Sequence, residues 1–175
     1  VLGLNIENLK KIINENNHQS EVFIANDNSD GQIVVSGKIN DLKKFAEKLK
    51  SMNIKNIMLP VSAPFHCNLM NNASKIMKNE IEKLNLTKPK ISLISNVTAN
   101  KMNEIKEIKG LLIKQIEHPV RWRESVLFMI RNGTDQFIEI GPGKVLSGLI
   151  KRIDRKIQIN NINTEEDINS IKLNE

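Results

Sequence analysis

The stretch that most constrains this chain is Ile57 to Met70, I-M-L-P-V-S-A-P-F-H-C-N-L-M, because it carries two prolines four residues apart. Each proline fixes its own φ, lacks an N–H and pushes the preceding residue towards extended backbone, so no regular helix can run through Pro60 and Pro64. The apolar run Ile57, Met58, Leu59, Val61 therefore predicts a strand. Apolar residues at 69, 70, 73, 76, 77, 81 and 84 predict one long amphipathic helix after it. His66 falls at the junction. An imidazole exchanges protons near neutral pH, and one fixed by stiff flanking backbone suits general-base chemistry. Spacing alone equally allows a histidine that caps a buried turn.

The rest of the chain alternates helix and strand. Val1 to Leu4 reads as the end of a strand whose beginning is missing. Asn5 then caps a helix with Ile6, Leu9, Ile12 and Ile13 on one face, ending near Asn16. Val22 to Ala25 and Gln32 to Ser36 predict a hairpin around the turn-forming run Asn26 to Gly31. A second amphipathic helix carries Leu42, Phe45, Ala46 and Leu49. Strand, helix, strand, strand, helix, strand is the order of a ferredoxin-like unit, expected to end near Pro60. Beyond it, Ile91 to Ser95 predicts a strand buried on both faces. Helices are expected over about 105 to 116, from 121 or 122 to 131, and from 144 to 152. Strands are expected over 136 to 140 and 157 to 162, with a capped helix from Thr164. The fold class is thus α/β. A ferredoxin-like subdomain over 1–60 precedes an α/β part over 61–175 with a mainly parallel sheet.

A chain of 175 residues can bury about 70% of its unfolded surface, enough for a sizeable core. The formal charge of +6 invites a nucleic-acid reading, but the basic residues are mostly lysines scattered among glutamates, so a solvated surface is the better reading. No apolar run approaches the roughly 20 residues that span a bilayer, and Val1 onward does not read as the charged, apolar, small-residue order of a secretory signal. The one cysteine, Cys67, can form no internal disulfide, in keeping with a reducing, cytoplasmic compartment.

Five segments together resemble a known family. They are Pro60 to Met70, N-D-N-S-D-G-Q-I-V-V-S-G (Asn26 to Gly37), I-S-N-V-T-A (Ile94 to Ala99), H-P-V-R-W (His118 to Trp122) and E-I-G-P-G-K-V-L-S-G-L (Glu139 to Leu149). Their order and approximate spacing are similar to those of the malonyl-CoA:acyl-carrier-protein transacylases, the acyltransferases of bacterial fatty-acid synthesis, over roughly the C-terminal half of that family. The resemblance implies an α/β-hydrolase-like core. It also implies malonyl transfer from coenzyme A to the phosphopantetheine thiol of acyl carrier protein through an acyl-serine.

The family places its serine on a strained G-H-S-x-G elbow, and no serine here, Ser36, Ser62 and Ser147 included, sits in that pattern. What the resemblance does carry over is the base. His66 matches the catalytic histidine, and Gln115 matches the residue whose backbone carbonyl orients that ring. Asn26 and Asn28 match hairpin asparagines facing the acyl-pantetheine arm, although asparagine also simply suits turn backbone. Asp30 stands where many relatives have proline, a departure expected to loosen the turn. Phe65 matches a position at which a bulky ring accompanies malonyl over methylmalonyl selectivity, a discrimination worth only about 1–3 kcal/mol. Asn96 matches an asparagine whose expected role is structural support.

Gly141-Pro142-Gly143-Lys144 fails the phosphate-loop spacing and reads as a tight turn. His18, His66, Cys67 and His118 lack metal-ligand spacing, so no metal is expected, nor any cofactor beyond malonyl-CoA as substrate. Cys67 beside His66 is a poor candidate nucleophile. The expected partners are acyl carrier protein, malonyl-CoA and a polypeptide supplying the serine-bearing half, with no transacylase activity from these 175 residues alone. The opposing expectation is a non-catalytic fragment or basic ferredoxin-like module that binds acyl carrier protein or nucleic acid.

Overall fold

The structure, a computed structural model, describes residues 1–16 and 21–170. Two compact units divide the chain, Val1–Ser125 and Val126–Glu175. His18, one of the residues weighed as a metal ligand, lies outside the described residues.

The first unit opens with helix α1 (Ile6–Asn16). Asn5 caps it as its side-chain oxygen accepts the Asn8 N–H at 2.9 Å. Strands β1 (Val22–Ser29) and β2 (Gln32–Gly37) form an antiparallel hairpin, and helix α2 (Ile39–Ser51) follows. The expected apolar stripes meet here. Leu9, Ile12 and Ile13 of α1, Val22 and Ile33 of the hairpin, and Phe45 and Leu49 of α2 make one buried cluster. Each fully buried side chain of this size contributes about 1.5–3 kcal/mol of transfer free energy.

The hairpin departs from expectation in a way that matters for the site. The residues read as a long turn, 26 to 29, belong to β1, and the reversal is made by Asp30 and Gly31 alone. Two register shifts, between Ile24 and Asn26 and between Asp27 and Ser29, absorb the irregular sequence and re-aim its side chains. Gly31 sits at φ +75°, and a Cβ there would come within 3.5 Å of Gly3. The Gly3 N–H donates to the Gly31 carbonyl at 2.8 Å, which closes the turn against the chain start. Residues 1–3 also bond on either side. The Leu2 N–H donates to Lys55 O at 2.8 Å, and the Ile33 N–H donates to Val1 O at 3.1 Å.

After α2 the strand expected over 57–61 is not formed. Ile57, Leu59 and Val61 are all at least half exposed, because no neighbouring strand among the described residues takes up their backbone groups. A single 3₁₀ turn (Asn68–Met70) leads into α3 (Asn71–Lys83), so the long helix starts two residues later than its apolar pattern. Ile81 is buried while Ile76 is 67% exposed. The strand expected over 91–95 is reduced to β3 (Leu93–Ile94), which pairs antiparallel with β4 (Lys101–Met102), and Ile91 is 78% exposed. It is therefore not a strand buried on both faces. Helices α4 (Ile105–Lys114) and α5 (Trp122–Arg131) follow, the division between units falling within α5.

The second unit pairs β5 (Gln136–Ile140) in parallel with β6 (Gln158–Ile162), with α6 (Val145–Ile153) between them in sequence and α7 (Glu165–Ser170) after. The sheets of the described residues are three two-stranded ones, and only this pair is parallel, so the architecture is α/β without the expected mainly parallel sheet. Gly141 and Gly143 both adopt positive φ in the turn before α6. That turn is closed by protein groups. Glu139 accepts the N–H of Leu146 at 3.0 Å and of Ser147 at 2.7 Å, and Asn163 accepts the Gly143 N–H at 2.9 Å. Three of the amides that a phosphate would need at this turn, those of Gly143, Leu146 and Ser147, are thus already used.

Candidate functional site

The loop after Pro64 is folded tightly on itself. The Phe65 N–H donates to Ala63 O at 3.0 Å, and the Cys67 thiol donates to Pro64 O at 3.1 Å. Between them His66 adopts φ +61°, a left-handed backbone that costs a non-glycine residue about 1–2 kcal/mol. Residues held there against preference gather at functional sites. The conformation turns the ring so that Nδ1 meets the Gln115 carbonyl at 2.9 Å, across 49 residues of sequence. A carbonyl only accepts, so Nδ1 carries the proton and Nε2 keeps its lone pair. Such an imidazole can take a proton at Nε2 from a hydroxyl or thiol.

His66 borders two clefts of the first unit. One, of about 540 Å³, is lined also by Asp27, Asn68, Glu117, His118 and Arg121. The other, of about 740 Å³, is lined by Asn26, Asn28 and Phe65 together with apolar residues of β2 and α2. The two asparagines and the phenylalanine thus share one cleft with the histidine, the asparagines being presented by strand β1. Asp27, which lies between them in sequence, faces the other cleft. Cys67 is 3% exposed, with its thiol bound to a backbone carbonyl, which suits a structural thiol.

Gln115 ends α4, where its own N–H still donates to Leu111 O at 3.0 Å. Its side-chain oxygen accepts the Asn96 amide at 3.3 Å. Asn96 lies in the turn after β3, and its carbonyl accepts the Arg121 N–H at 2.9 Å. The Arg121 guanidinium donates to the carbonyls of Val97 at 3.3 Å and Thr98 at 3.2 Å, and it pairs with Glu124. That pairing holds the Glu124 carboxyl below the usual carboxylate range, against the opposing effect of its partial burial.

The H-P-V-R-W segment also docks on the hairpin. The Val120 N–H donates to Ala25 O at 2.8 Å, and the Asp27 N–H donates to Val120 O at 2.9 Å. One turn on, Arg123 reaches the almost fully buried Asp27 carboxylate, Nη2 to Oδ2 at 2.9 Å and Nε to Oδ1 at 3.2 Å. Neither Arg121, Arg123 nor Asp27 was singled out from sequence. The sequence offered no signal for the Asp27–Arg123 pair, since Asp27 stands in the polar run N-D-N-S-D; only its burial, which demands a cationic partner, reveals the pair. No group of three or more metal-ligating side chains occurs among the described residues, and none of their helices is long and apolar enough to cross a membrane.

Comparison with known proteins bears on this geometry. The model of the acyl transferase domain family matches residues 4–172. A malonyl CoA-acyl carrier protein transacylase of Bacillus subtilis (strain 168) is 39% identical over 160 residues, which cover 90% of this chain and 50% of the relative. The crystal structure of malonyl CoA-acyl carrier protein transacylase from Clostridium perfringens superposes with a TM-score of 0.91 at 36% identity, over 97% of this chain and 54% of that one. A malonyl-transacylase in complex with its type II PKS acyl-carrier protein matches with a TM-score of 0.91 at 30% identity, over 97% of this chain and 55% of that one. The chain spans about half the length of the curated relatives it matches.

Proposed function

The chain belongs to the acyl transferase domain family, and on that premise we propose that it is the base-bearing half of a malonyl-CoA:acyl-carrier-protein transacylase. The observation that carries the proposal is the His66 ring held with Nδ1 on the Gln115 carbonyl and Nε2 left as the acceptor. The nucleophile is a serine on a G-H-S-x-G elbow, supplied by polypeptide outside these 175 residues. Nε2 takes the serine proton as Oγ attacks the malonyl thioester carbon. The C–S bond then breaks, and the imidazolium returns the proton to the coenzyme A sulfur. In the second half the phosphopantetheine thiol gives its proton to Nε2 and attacks the acyl-serine. The C–O bond breaks, and the proton goes back to the serine oxygen.

Asn26 and Asn28, lining the 740 Å³ cleft with His66, would bond the amides of the pantetheine arm, and Phe65 would crowd an α-methyl branch and favour malonyl. The backbone bonds that put residues 1–3 between Lys55 and β2 support a ferredoxin-like subdomain over 1–60, followed in sequence by a larger α/β part over 61–175. The exposed apolar side chains of 57–61 suit a contact surface for the serine-bearing polypeptide. Acyl carrier protein is the partner in the matched complex, and we propose the same partner here. We place the protein in the cytoplasm, in keeping with its one cysteine, and assign it no cofactor or metal.

The test is transfer of radiolabelled malonyl from coenzyme A to holo acyl carrier protein. The purified chain alone should transfer none. Mixed with a polypeptide carrying the family's N-terminal segment and its G-H-S-x-G, it should transfer. Transfer by the chain alone would refute the external nucleophile. Carrier-protein binding without transfer in the mixture would favour a non-catalytic binding module.

A further inference from the structure

As an acceptor for the His66 ring, Gln115 needs only its main-chain carbonyl, which any side chain at 115 would leave in place. The geometry points to more: we infer that Asn96 is a positioning residue for His66, acting through the Gln115 side chain to fix the carbonyl that receives Nδ1. This inference rests on the base reading of His66 and deepens it.

The Gln115 carbonyl stands at the end of a helix, where the last carbonyls lack intrahelical partners and the backbone frays. After Gln115, Ile116 and Glu117 bond back at i−3, to Ile113 O at 3.2 Å and Lys114 O at 3.1 Å, so the α-helical ladder has already given way. An acceptor in that position needs an external hold if it is to fix a ring to a few tenths of an ångström. The Asn96 amide supplies it, donating to Gln115 Oε1 at 3.3 Å from a turn 19 residues away.

Asn96 is itself held from several directions. Its carbonyl takes the Arg121 N–H, and the Arg121 guanidinium grips the next two carbonyls, at Val97 and Thr98. Ser95 closes the turn, its hydroxyl accepting the Val97 N–H at 3.1 Å and its carbonyl accepting the Ala99 N–H at 2.9 Å. The I-S-N-V-T-A and H-P-V-R-W segments thus meet at Asn96, which in turn bonds the residue whose carbonyl orients the histidine. This accounts for side-chain chemistry at 115 and 96 that a purely main-chain role leaves without purpose.

The test reads the ring directly in the 175-residue chain, by nitrogen-15 NMR of the His66 imidazole at alkaline pH, where the two neutral tautomers have separate signals. Wild type should hold the Nδ1–H form. Asn96→Leu removes the amide at nearly constant volume, and Gln115→Met removes the acceptor at constant length. Each should lower the Nδ1–H to Nε2–H ratio about fivefold, the effect of one net hydrogen bond. The double variant should be no worse than either single, and Gln115→Glu, which still accepts from Asn96, should keep the wild-type ratio. Hairpin amide shifts read in the same samples should stay unchanged, which separates loss of positioning from loss of fold. An unchanged ratio in both single variants, with wild type in the Nδ1–H form, overturns the positioning role and leaves the base reading standing. A wild-type ring without the Nδ1–H form overturns both.

Discussion

Replacing Arg123 by methionine removes the partner of a carboxylate that has almost no contact with water. Asp27 is 2% exposed, and the Arg123 side chain, 27% exposed, meets it through two nitrogens. Deleting one member of a fully buried pair costs about 3–5 kcal/mol, because the remaining charge is stranded. Here the arginine end reaches solvent, and water can follow it in, so the expected cost is smaller, about 2–3 kcal/mol. With a urea dependence of about 1–3 kcal/mol per molar, the unfolding midpoint should fall by about 1 M. The pair spans 96 residues, so the loss should also free β1 from the 118–121 segment that bonds on both sides of Asn26. Hydrogen exchange at the Asp27 and Val120 amides should accelerate accordingly. Arg123→Met combined with Asp27→Leu leaves no charge to strand and should recover to within about 1 kcal/mol of wild type. Urea titration of the three variants decides the matter. A single variant within about 0.5 kcal/mol of wild type, the range of an indifferent surface change, would show that the carboxylate is not stranded and that the reasoning fails.

Three other outcomes follow from the same structure. Glu139 is held below the usual carboxylate range by the Ser147 hydroxyl, the amides of Ser147 and Leu146 and the Asn161 side chain. Its folded value is depressed, so its contribution to the second unit is complete above the ordinary carboxylate value of about 4.3 and is lost as pH falls through the lower folded one. Glu139→Gln should flatten that acid limb in a melting series from neutral to acid pH. Gly31→Ala forces a side chain into φ +75° and within 3.5 Å of Gly3, and it should cost about 1–2 kcal/mol in thermal or urea unfolding. Cys67, buried and tied to Pro64 O, should resist iodoacetamide in the native chain and react once the chain is unfolded; Cys67→Ala should leave transfer in the reconstituted mixture intact.

Much of the local structure was legible because it depends on neighbours close in sequence. The apolar spacing of Leu9, Ile12, Phe45 and Leu49 marks the faces of α1 and α2 that make the core, and the Asn5 cap and the bounds of β5 follow from the same local signals. Strands at 57–61 and 91–95 were over-read for one physical reason. Apolar, β-branched runs announce that a segment will be covered, but a strand exists only where another strand bonds to it, and the described residues supply none for 57–61 and a two-residue partner for 93–94. The turn-forming residues 26–29 were read as loop because their polarity is met at a distance, by Arg123 for Asp27. The His66 and Gln115 pairing rested on the family resemblance, while the positive φ of His66 and the Asn96 side-chain contact leave no trace in residue spacing.

The most direct measurement is the rate of malonyl transfer to holo acyl carrier protein by the chain mixed with the serine-bearing polypeptide, compared between wild type and His66→Ala. A placed base is worth about 10²- to 10⁴-fold, so the variant should lose at least about a hundredfold in rate while still associating with its partner polypeptide. Equal rates in the two mixtures would contradict the account.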